Sequence, residues 1–565
     1  MNNSGDPSFS RRRLLELVSA TSLDRGLVGL SAAAVAPQPK PDASHTLGLR
    51  TYNVRDFGAK GDGVTLDTEA FQQAIDACNR EQGGTVLVPA GVFVIGTIEL
   101  KSNVTLYLSA QAKLLGSGNG THYHAADKIP LRGDSTLGDG NVGLIFAVEA
   151  ENVTVEGQGT IDGQGSEFRS PTRGTPPPSG RGGADRPYHL LFYRCRNLSV
   201  RDIRLVNSAF HSIRVIQSHY IKMEGLHIHN RVNRNNDGFH FVSCEYVHVS
   251  RCDVECQDDA CALFGSCKFV TVTSCSFSTR WSVFRFGGGV AENVAVSNCL
   301  IYQTYGCPIK LRCSPGSRFE NMSFSNLLMN QVIGPISIGC GPQTRPSGEL
   351  VEPENESPGI VRNITLTNIR ATVVVPQPLP EVPFESRYNA GEIKSSMALN
   401  GVGPGNVIEN ITFDNVHVTF PGGGTAEEAA LRDVPKVVGE YYQTGVLPAY
   451  GLYARAVRGL TLRNVRFDVA ATELRPALVF DHVEDAALNG FSAQGNSQAE
   501  SLVRFISTRE VLLSASRVLA TVPAFLELEG ADCGEITIDG GDLSKAQNPL
   551  RLRQGAQPQA VKLRI

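Results

Sequence analysis

One short pattern returns along most of the chain and leaves few folds open to it. Asn or an aromatic residue is followed by an apolar–polar–apolar triplet. It reads Asn103-Val-Thr-Leu, Asn152-Val-Thr-Val, Asn197-Leu-Ser-Val, Tyr220-Ile-Lys-Met, Tyr246-Val-His-Val and Phe269-Val-Thr-Val. It continues as Asn293-Val-Ala-Val, Asn321-Met-Ser-Phe, Asn363-Ile-Thr-Leu, Asn410-Ile-Thr-Phe and Gly459-Leu-Thr-Leu. In the middle the starts are 23, 26, 23, 24 and 28 residues apart. Later spacings are 42, 47 and 49, near twice the unit or one unit plus a long loop. Period-two alternation marks half-buried strands. A period in the low twenties is too short for helical-pair repeats and fits one turn of a β-solenoid. Glycine agrees: 57 Gly without a collagen triplet call for many tight turns. The 565 residues therefore read as one solenoid with loops, not as several domains of ~150 residues.

Six starts (Asn103, Asn152, Asn197, Asn321, Asn363, Asn410) also match N-x-[ST]. They fall where a turn hands over to a strand, a backbone that suits Asn, so the repeat explains them better than glycosylation does. A solenoid needs covered ends, because an open sheet edge recruits other chains. Residues 67–80 predict a cap. Asp67 is placed to N-cap a helix whose Ala70, Phe71, Ala74, Ile75 and Cys78 share one face. Gly83-Gly84 ends it, and Thr85-Val-Leu-Val starts the strands. Polar and proline-rich stretches (341–358, 375–407, 421–449) read as loops over one side, since the repeat resumes after each.

Composition removes other classes. With 19% charged and 41% hydrophobic residues, wholesale disorder is excluded. A net charge of -4 gives no basic footprint for nucleic acid. No apolar run reaches the ~20 residues of a membrane span. Residues 1–36 read as a targeting segment: Arg11-Arg12-Arg13 precede a moderately apolar stretch broken by Asp24 and Arg25, and Ala34-Val35-Ala36 is an A-x-A cleavage site. This is similar to a twin-arginine export signal and predicts a periplasmic or extracellular protein. Residues 37–49 read as linker and 50–565 as the solenoid domain. Cys252, Cys275 and Cys299 recur 23 and 24 residues apart, which predicts a column of small core residues rather than disulfides. No CxxC pair supports a structural zinc site.

Matching positions of successive coils line up on one face, so the offset from a coil start is a coordinate. Asn235-Asn236-Asp237 lies 15 to 17 residues after Tyr220, and Asp258-Asp259 lies 12 and 13 after Tyr246. Arg285 lies 16 after Phe269, Lys310 17 after Asn293, and His211 and Arg214 14 and 17 after Asn197. A patch of three carboxylates flanked by basic groups is expected. Like charges that close raise one carboxyl pKa, which makes a general acid. Glycoside hydrolysis needs one such acid and one carboxylate to activate water. Taken singly, each motif reads more readily as solvated Asp in a turn; their shared register favours function.

At these residues the chain resembles glycoside hydrolase family 28, the polygalacturonase-like pectinases. The resemblance runs through Tyr52-Asn-Val-Arg-Asp-Phe-Gly-Ala-Lys-Gly-Asp-Gly63, the segment 67–80, Gly83-Gly84-Thr85-Val86, Leu100-Lys-Ser-Asn-Val-Thr-Leu106 and Gly157-Gln-Gly-Thr-Ile-Asp-Gly163. Asn207-Ser208, Asn235-Asn236-Asp237-Gly238, Asp258-Asp259 and Leu447-Pro-Ala-Tyr-Gly451 continue it in order. It implies a single-stranded right-handed parallel β-helix of the pectin-lyase-like type. By resemblance, Asp258 is the acid, Asp259 and Asp237 share the base role, and the enzyme inverts.

Two positions depart from the family pattern. Its Gly-His-Gly is replaced by Ser278-Thr-Arg-Trp-Ser-Val-Phe-Arg-Phe-Gly287, and its Arg-Ile-Lys by Pro308-Ile309-Lys310. Lys310 and Arg312 point the same way in a strand, so Arg312 is a candidate for the missing cation. Arg280 and Arg285 are further candidates for a uronate carboxylate. His211 and Asn235 are expected near the substrate. Trp281 is open to sugar stacking or packing. His227 and His229 read as the polar face of a coil, and Gly61-Asp62-Gly63 as a turn.

The expectation is an exported monomeric glycosidase acting on a galacturonate-containing poly- or oligosaccharide, with no metal and no cofactor. Two alternatives stand beside it. One is a polysaccharide lyase on the same solenoid with Ca2+ held by the Asp cluster. The other is a carbohydrate-binding β-helix that has lost its activity.

Overall fold

In the computed structural model every repeat start takes a left-handed backbone. From Asn103 to Gly459 their φ angles lie between 53° and 70°, the aromatic starts Tyr220, Tyr246 and Phe269 included. Each start kinks the chain into its strand, so the following apolar–polar–apolar triplet presents two residues inward. The described residues are 50–126, 129, 141–168, 186–343, 357–379, 387–403 and 405–564. The export segment and linker expected over 1–49 lie outside them.

The strands stack as a right-handed parallel β-helix, each pairing in parallel with the equivalent strand of the next coil. The outward residues of all the triplets form one ladder: Thr105, Thr154, Ser199, Lys222, His248, Thr271, Ala295, Ser323, Thr365, Thr412 and Thr461 are consecutive partners. The spacings of 42, 47 and 49 are thus one coil plus a loop. The ladder runs on through Ala487, Leu512, Thr537 and Lys562. The coils of Ala487, Leu512 and Thr537 start at Asp485, Glu510 and Glu535, also at positive φ.

Beside that ladder the start side chains stack on one another. Asn152 donates to Asn103 at 2.8 Å and Asn197 to Asn152 at 2.7 Å. Tyr220, Tyr246 and Phe269 then stack at 4.8 and 4.9 Å. Asn363 donates to Asn321 and Asn410 to Asn363, both at 3.2 Å. The inward residues fill one continuous apolar core. All 13 cysteines are buried and free, and the amide of Cys252 donates to the Cys275 sulfur at 3.4 Å.

The cap is a helix, Thr68–Arg80, that buries Phe71, Ala74, Ile75, Ala77 and Cys78. Asp67 precedes it but does not cap it. Its carboxylate instead accepts from the amides of Lys60 (2.7 Å) and Gly61 (3.0 Å), tying down the preceding turn. Gly83 needs its φ of 104°, and a Cβ there would sit 2.4 Å from the Asn103 carbonyl oxygen. The described parts of the late loops carry short helices, Ala390–Ile393 and Tyr441–Thr444. Tyr441 fastens them to the coils, its hydroxyl donating to the Ser396 carbonyl at 2.8 Å.

Candidate active site

Five parallel strands carry the site: Ile213–Ile216, Phe239–Val242, Cys261–Phe264, Ser282–Gly287 and Cys307–Cys313. Ile213, Phe239, Cys261, Phe284 and Ile309 are consecutive partners. His211, Asp237 and Asp259 each stand two residues before their strand's partner, so they occupy equivalent positions in three adjacent coils, and Ser282 takes that position in the fourth. Backbone bonds lock the register: Ser212 N–H donates to the Asp237 carbonyl at 2.9 Å and Gly238 N–H to the Asp259 carbonyl at 3.0 Å. Gly238 is required by this close approach, since a Cβ would meet the Ala260 carbonyl oxygen at 2.5 Å.

Asp258 is half-buried, while Asp237 and Asp259 are buried. The Asp259 amide donates to Asp258 Oδ1 at 2.9 Å, and Asn235 Nδ2 donates to Oδ2 at 3.3 Å. Asn235 is itself held by Arg186, whose Nη2 donates to its Oδ1 at 3.1 Å. Asn236 faces away and knits the loop, donating to the carbonyls of Ser208 (3.1 Å) and Phe210 (2.7 Å).

Asp237 has two histidine partners: His211, expected near the substrate, and His240, which sequence reasoning missed. His240 Nδ1 lies 2.7 Å from Asp237 Oδ2, and His211 Nε2 lies 3.6 Å from the same oxygen. The two rings stack at 4.5 Å, and His240 also stacks on Phe264 at 5.1 Å. Burial, and after it the charges of Asp258 and Asp259, push the Asp237 carboxyl well above the usual range. Burial also drives both imidazoles well below theirs, which favours their neutral forms. Burial raises Asp259 as well, and Lys310 and Arg285 pull it back. The signal for His240 was its place in the cation row. Arg214, His240, Ala262, Arg285 and Lys310 are consecutive outward-facing partners, and the offsets of Arg214, Arg285 and Lys310 had already marked that row. The donor atoms of His211, Asp237 and His240 lie within 4.8 Å of one another. His240 Nδ1 and Asp237 Oδ2 are at hydrogen-bond distance, while both ring nitrogens of His211 are buried without a hydrogen-bond partner.

The remaining expected residues are placed less simply. His211 is fully buried between Phe210 and His240, so it reaches the site through Asp237 rather than by lining the groove. Lys310 is fully buried, with its Nζ 2.5 Å from Glu440 Oε2 and 4.7 Å above the Trp281 ring. Arg280 pairs with Glu392 at 3.5 Å and lies 4.2 Å over the Tyr388 ring. Arg285 lies 5.5 Å over Phe264. Arg312 corrects an expectation. It shares the outward face of Lys310 but is 3% exposed. Its Nη1 donates to the Ser337 carbonyl (3.2 Å) and hydroxyl (3.1 Å), beneath the loop that brings Val438 and Tyr441. That loop, not the sequence alternation, decides that Arg312 faces no substrate.

The sequence matches Glycosyl hydrolases family 28 over residues 78–382. The chain belongs to this family. It is 26% identical over 438 residues to an exo-poly-alpha-D-galacturonosidase of Dickeya chrysanthemi, covering 65% of this chain and 71% of that one. It is 31% identical over 215 residues to a probable polygalacturonase of Vitis vinifera, a match to 37% of this chain and 43% of the grape protein's length. A family 28 exopolygalacturonase from Yersinia enterocolitica superposes with a TM-score of 0.58 at 21% identity, over 78% of each chain, which speaks to the fold alone.

A family 28 chain is a glycosyl hydrolase, and the class of reaction follows. Within it, this chain keeps three carboxylates in two coils. It brings its histidines from the coils of His211 and His240 rather than from the coil of Ser282, and its long loops set Glu392 against Arg280, Glu440 against Lys310 and Tyr442 beside Trp281. No helix among the described residues is long and apolar enough to cross a membrane.

Proposed function

We propose that the protein is an exported, inverting hydrolase of pectin-type, galacturonate-containing poly- or oligosaccharides. The observation that carries this reading is the equivalent placement of Asp237 and Asp259 in adjacent coils, with Asp258 beside them on the open side. Asp258 is the carboxyl with access to the groove, and it gives its proton to the glycosidic oxygen as that C–O bond breaks. Water attacks the anomeric carbon from the opposite face and loses its proton to the carboxylate pair. Asp259, facing Lys310 and Arg285, is the member held closer to its ionised form. Asp237 carries the higher proton affinity, and the neutral His240 beside it donates to its carboxylate or accepts from its carboxyl as the pair exchanges that proton. One proton leaves Asp258 and one arrives at the pair, so the cycle closes by exchange with solvent. Arg285 is the candidate for a uronate carboxylate, and Asn235 fixes Asp258 for its task. The export segment expected from the sequence at 1–36 supports a location where such polymers are found.

The test is Asp258→Asn, assayed for release of reducing ends from pectic substrates. A loss of ~10³-fold or more with the fold intact is expected, within the span of general acid catalysis. Full retained release would sink the assignment of the acid. Product anomers followed by NMR at early times report inversion directly.

A further inference from the structure

Four cations were expected to be available to a uronate, and two of them already hold carboxylates of this chain. Lys310 Nζ sits 2.5 Å from Glu440 Oε2. Arg280 sits 3.5 Å from Glu392 Oε1. Arg312 is spent on Ser337 and buried. Burial would raise the Glu440 carboxyl, yet Lys310, Arg312 and Arg285 outweigh it and hold it at about 2, so Glu440 is anionic at any working pH. Among the described residues neither Arg285 nor Arg312 has a carboxylate within ion-pair distance, and of these two only Arg285 is partly exposed.

The wall around these pairs is aromatic. Trp281 is half-buried beneath Lys310 and 6.5 Å from Tyr442, which is 38% exposed. Arg280 lies 5.3 Å over the same Trp281 ring. Apolar CH faces of a sugar pack on such rings, and the partly exposed Glu440 carboxylate offers an acceptor to hydroxyls, with Lys310 Nζ buried behind it. A sugar carboxylate seated there would meet the Glu440 carboxylate and could not reach the buried Lys310 Nζ behind it. Like charges at that separation in a partly dry site repel strongly.

We infer that the ring bound against Glu440, Trp281 and Tyr442 is an uncharged sugar, a hexose or deoxyhexose, with Glu440 as the residue that excludes a uronate. This rests on the hydrolase reading above and narrows it. The substrate is a mixed glycan in which Arg285 holds any uronate and the Lys310 side of the groove does not. Glu440 is a positioning and selectivity residue and takes no part in proton transfer.

The experiment compares initial rates of the full chain on three probes. These are trigalacturonate, its carboxyl-reduced form, and a rhamnogalacturonan oligosaccharide with rhamnose at its non-reducing end. The better of the two uncharged-ring probes is expected to exceed trigalacturonate at least tenfold in kcat/KM. In Glu440→Gln, trigalacturonate is expected to gain tenfold or more, chiefly through a lower KM. Preference for trigalacturonate by the wild type overturns the inference and leaves the hydrolase reading standing. So does an unchanged ratio in a folded Glu440→Gln. Turnover of none of the probes overturns both. The wild-type ratio decides by itself if the variant does not fold.

Discussion

The same outward row of the solenoid carries buried charge twice, and the two stretches are built on opposite rules. Near the candidate site the row reads Arg214, His240, Ala262, Arg285, Lys310. It continues through Ser337, Ala398, Tyr453 and Val479, and ends in Arg504, Glu527 and Arg551. In the C-terminal stretch opposite charges alternate and every pair closes. Arg504 Nε lies 3.2 Å from Glu527 and 3.4 Å from Glu529. Arg432 holds Glu529 with two nitrogens at 2.6 and 2.5 Å, and Arg553 reaches Glu527 at 3.1 Å. Around Asp237 and Asp259, by contrast, like charges are stacked in adjacent coils, and buried Asp259 Oδ1 has no hydrogen-bond partner. Complementary burial makes a structural clamp. Stacked like charges store a proton and a demand for a ligand, which is the signature of a reactive site.

Breaking each stretch therefore has a different readout. Asp259→Asn is expected to lower hydrolysis by ~10³-fold, with little change in thermal unfolding, because a charge that lacks full compensation is what is removed. Comparable rates for variant and wild type would place the base elsewhere. Arg504→Ala does the reverse. It leaves Glu527 and Glu529 buried with part of their compensation gone, a loss of about 3–5 kcal/mol read by denaturant unfolding. Activity per folded molecule should be unchanged. A variant as stable as wild type would show that Arg432 and Arg553 suffice for the clamp.

How much of this was written in the sequence follows the same division. The coil period was legible because Asn and aromatic starts repeat, and the resemblance supplied the hand of the helix. The last coils fell within the expected 50–565 solenoid, but their starts were not picked out, because Asp485, Glu510 and Glu535 take the start position with residue types that the pattern did not include. Asp237, Asp258 and Asp259 were legible because carboxylate pairs at matched offsets leave a trace in one dimension. His240 left none of its own: it lies three residues past Asp237, inside a strand, and gains its meaning only from the row it joins. Glu392 and Glu440 were out of reach for a different reason. They come from loops whose course over the coils no periodicity dictates, and they change what Lys310 and Arg280 can bind. Arg312 shows the limit of alternation, which says which way a side chain points but not what covers it.

The smallest effect tests the stored proton itself. The Asp237 carboxyl binds its proton more tightly folded than unfolded. Its contribution to stability is thus complete below the unfolded value, near ~3.9, and is lost as pH rises through the raised folded value. Asn has no such dependence, and its carbonyl still accepts from His240 Nδ1–H. Asp237→Asn should therefore match the wild type in acid and exceed it at neutral pH by about 1 kcal/mol, while hydrolysis falls. Thermal melts of both proteins across this range read the gap directly. A gap that stays constant, or that closes as pH rises, would mean that Asp237 is ionised in the resting enzyme and that the pair shares no proton.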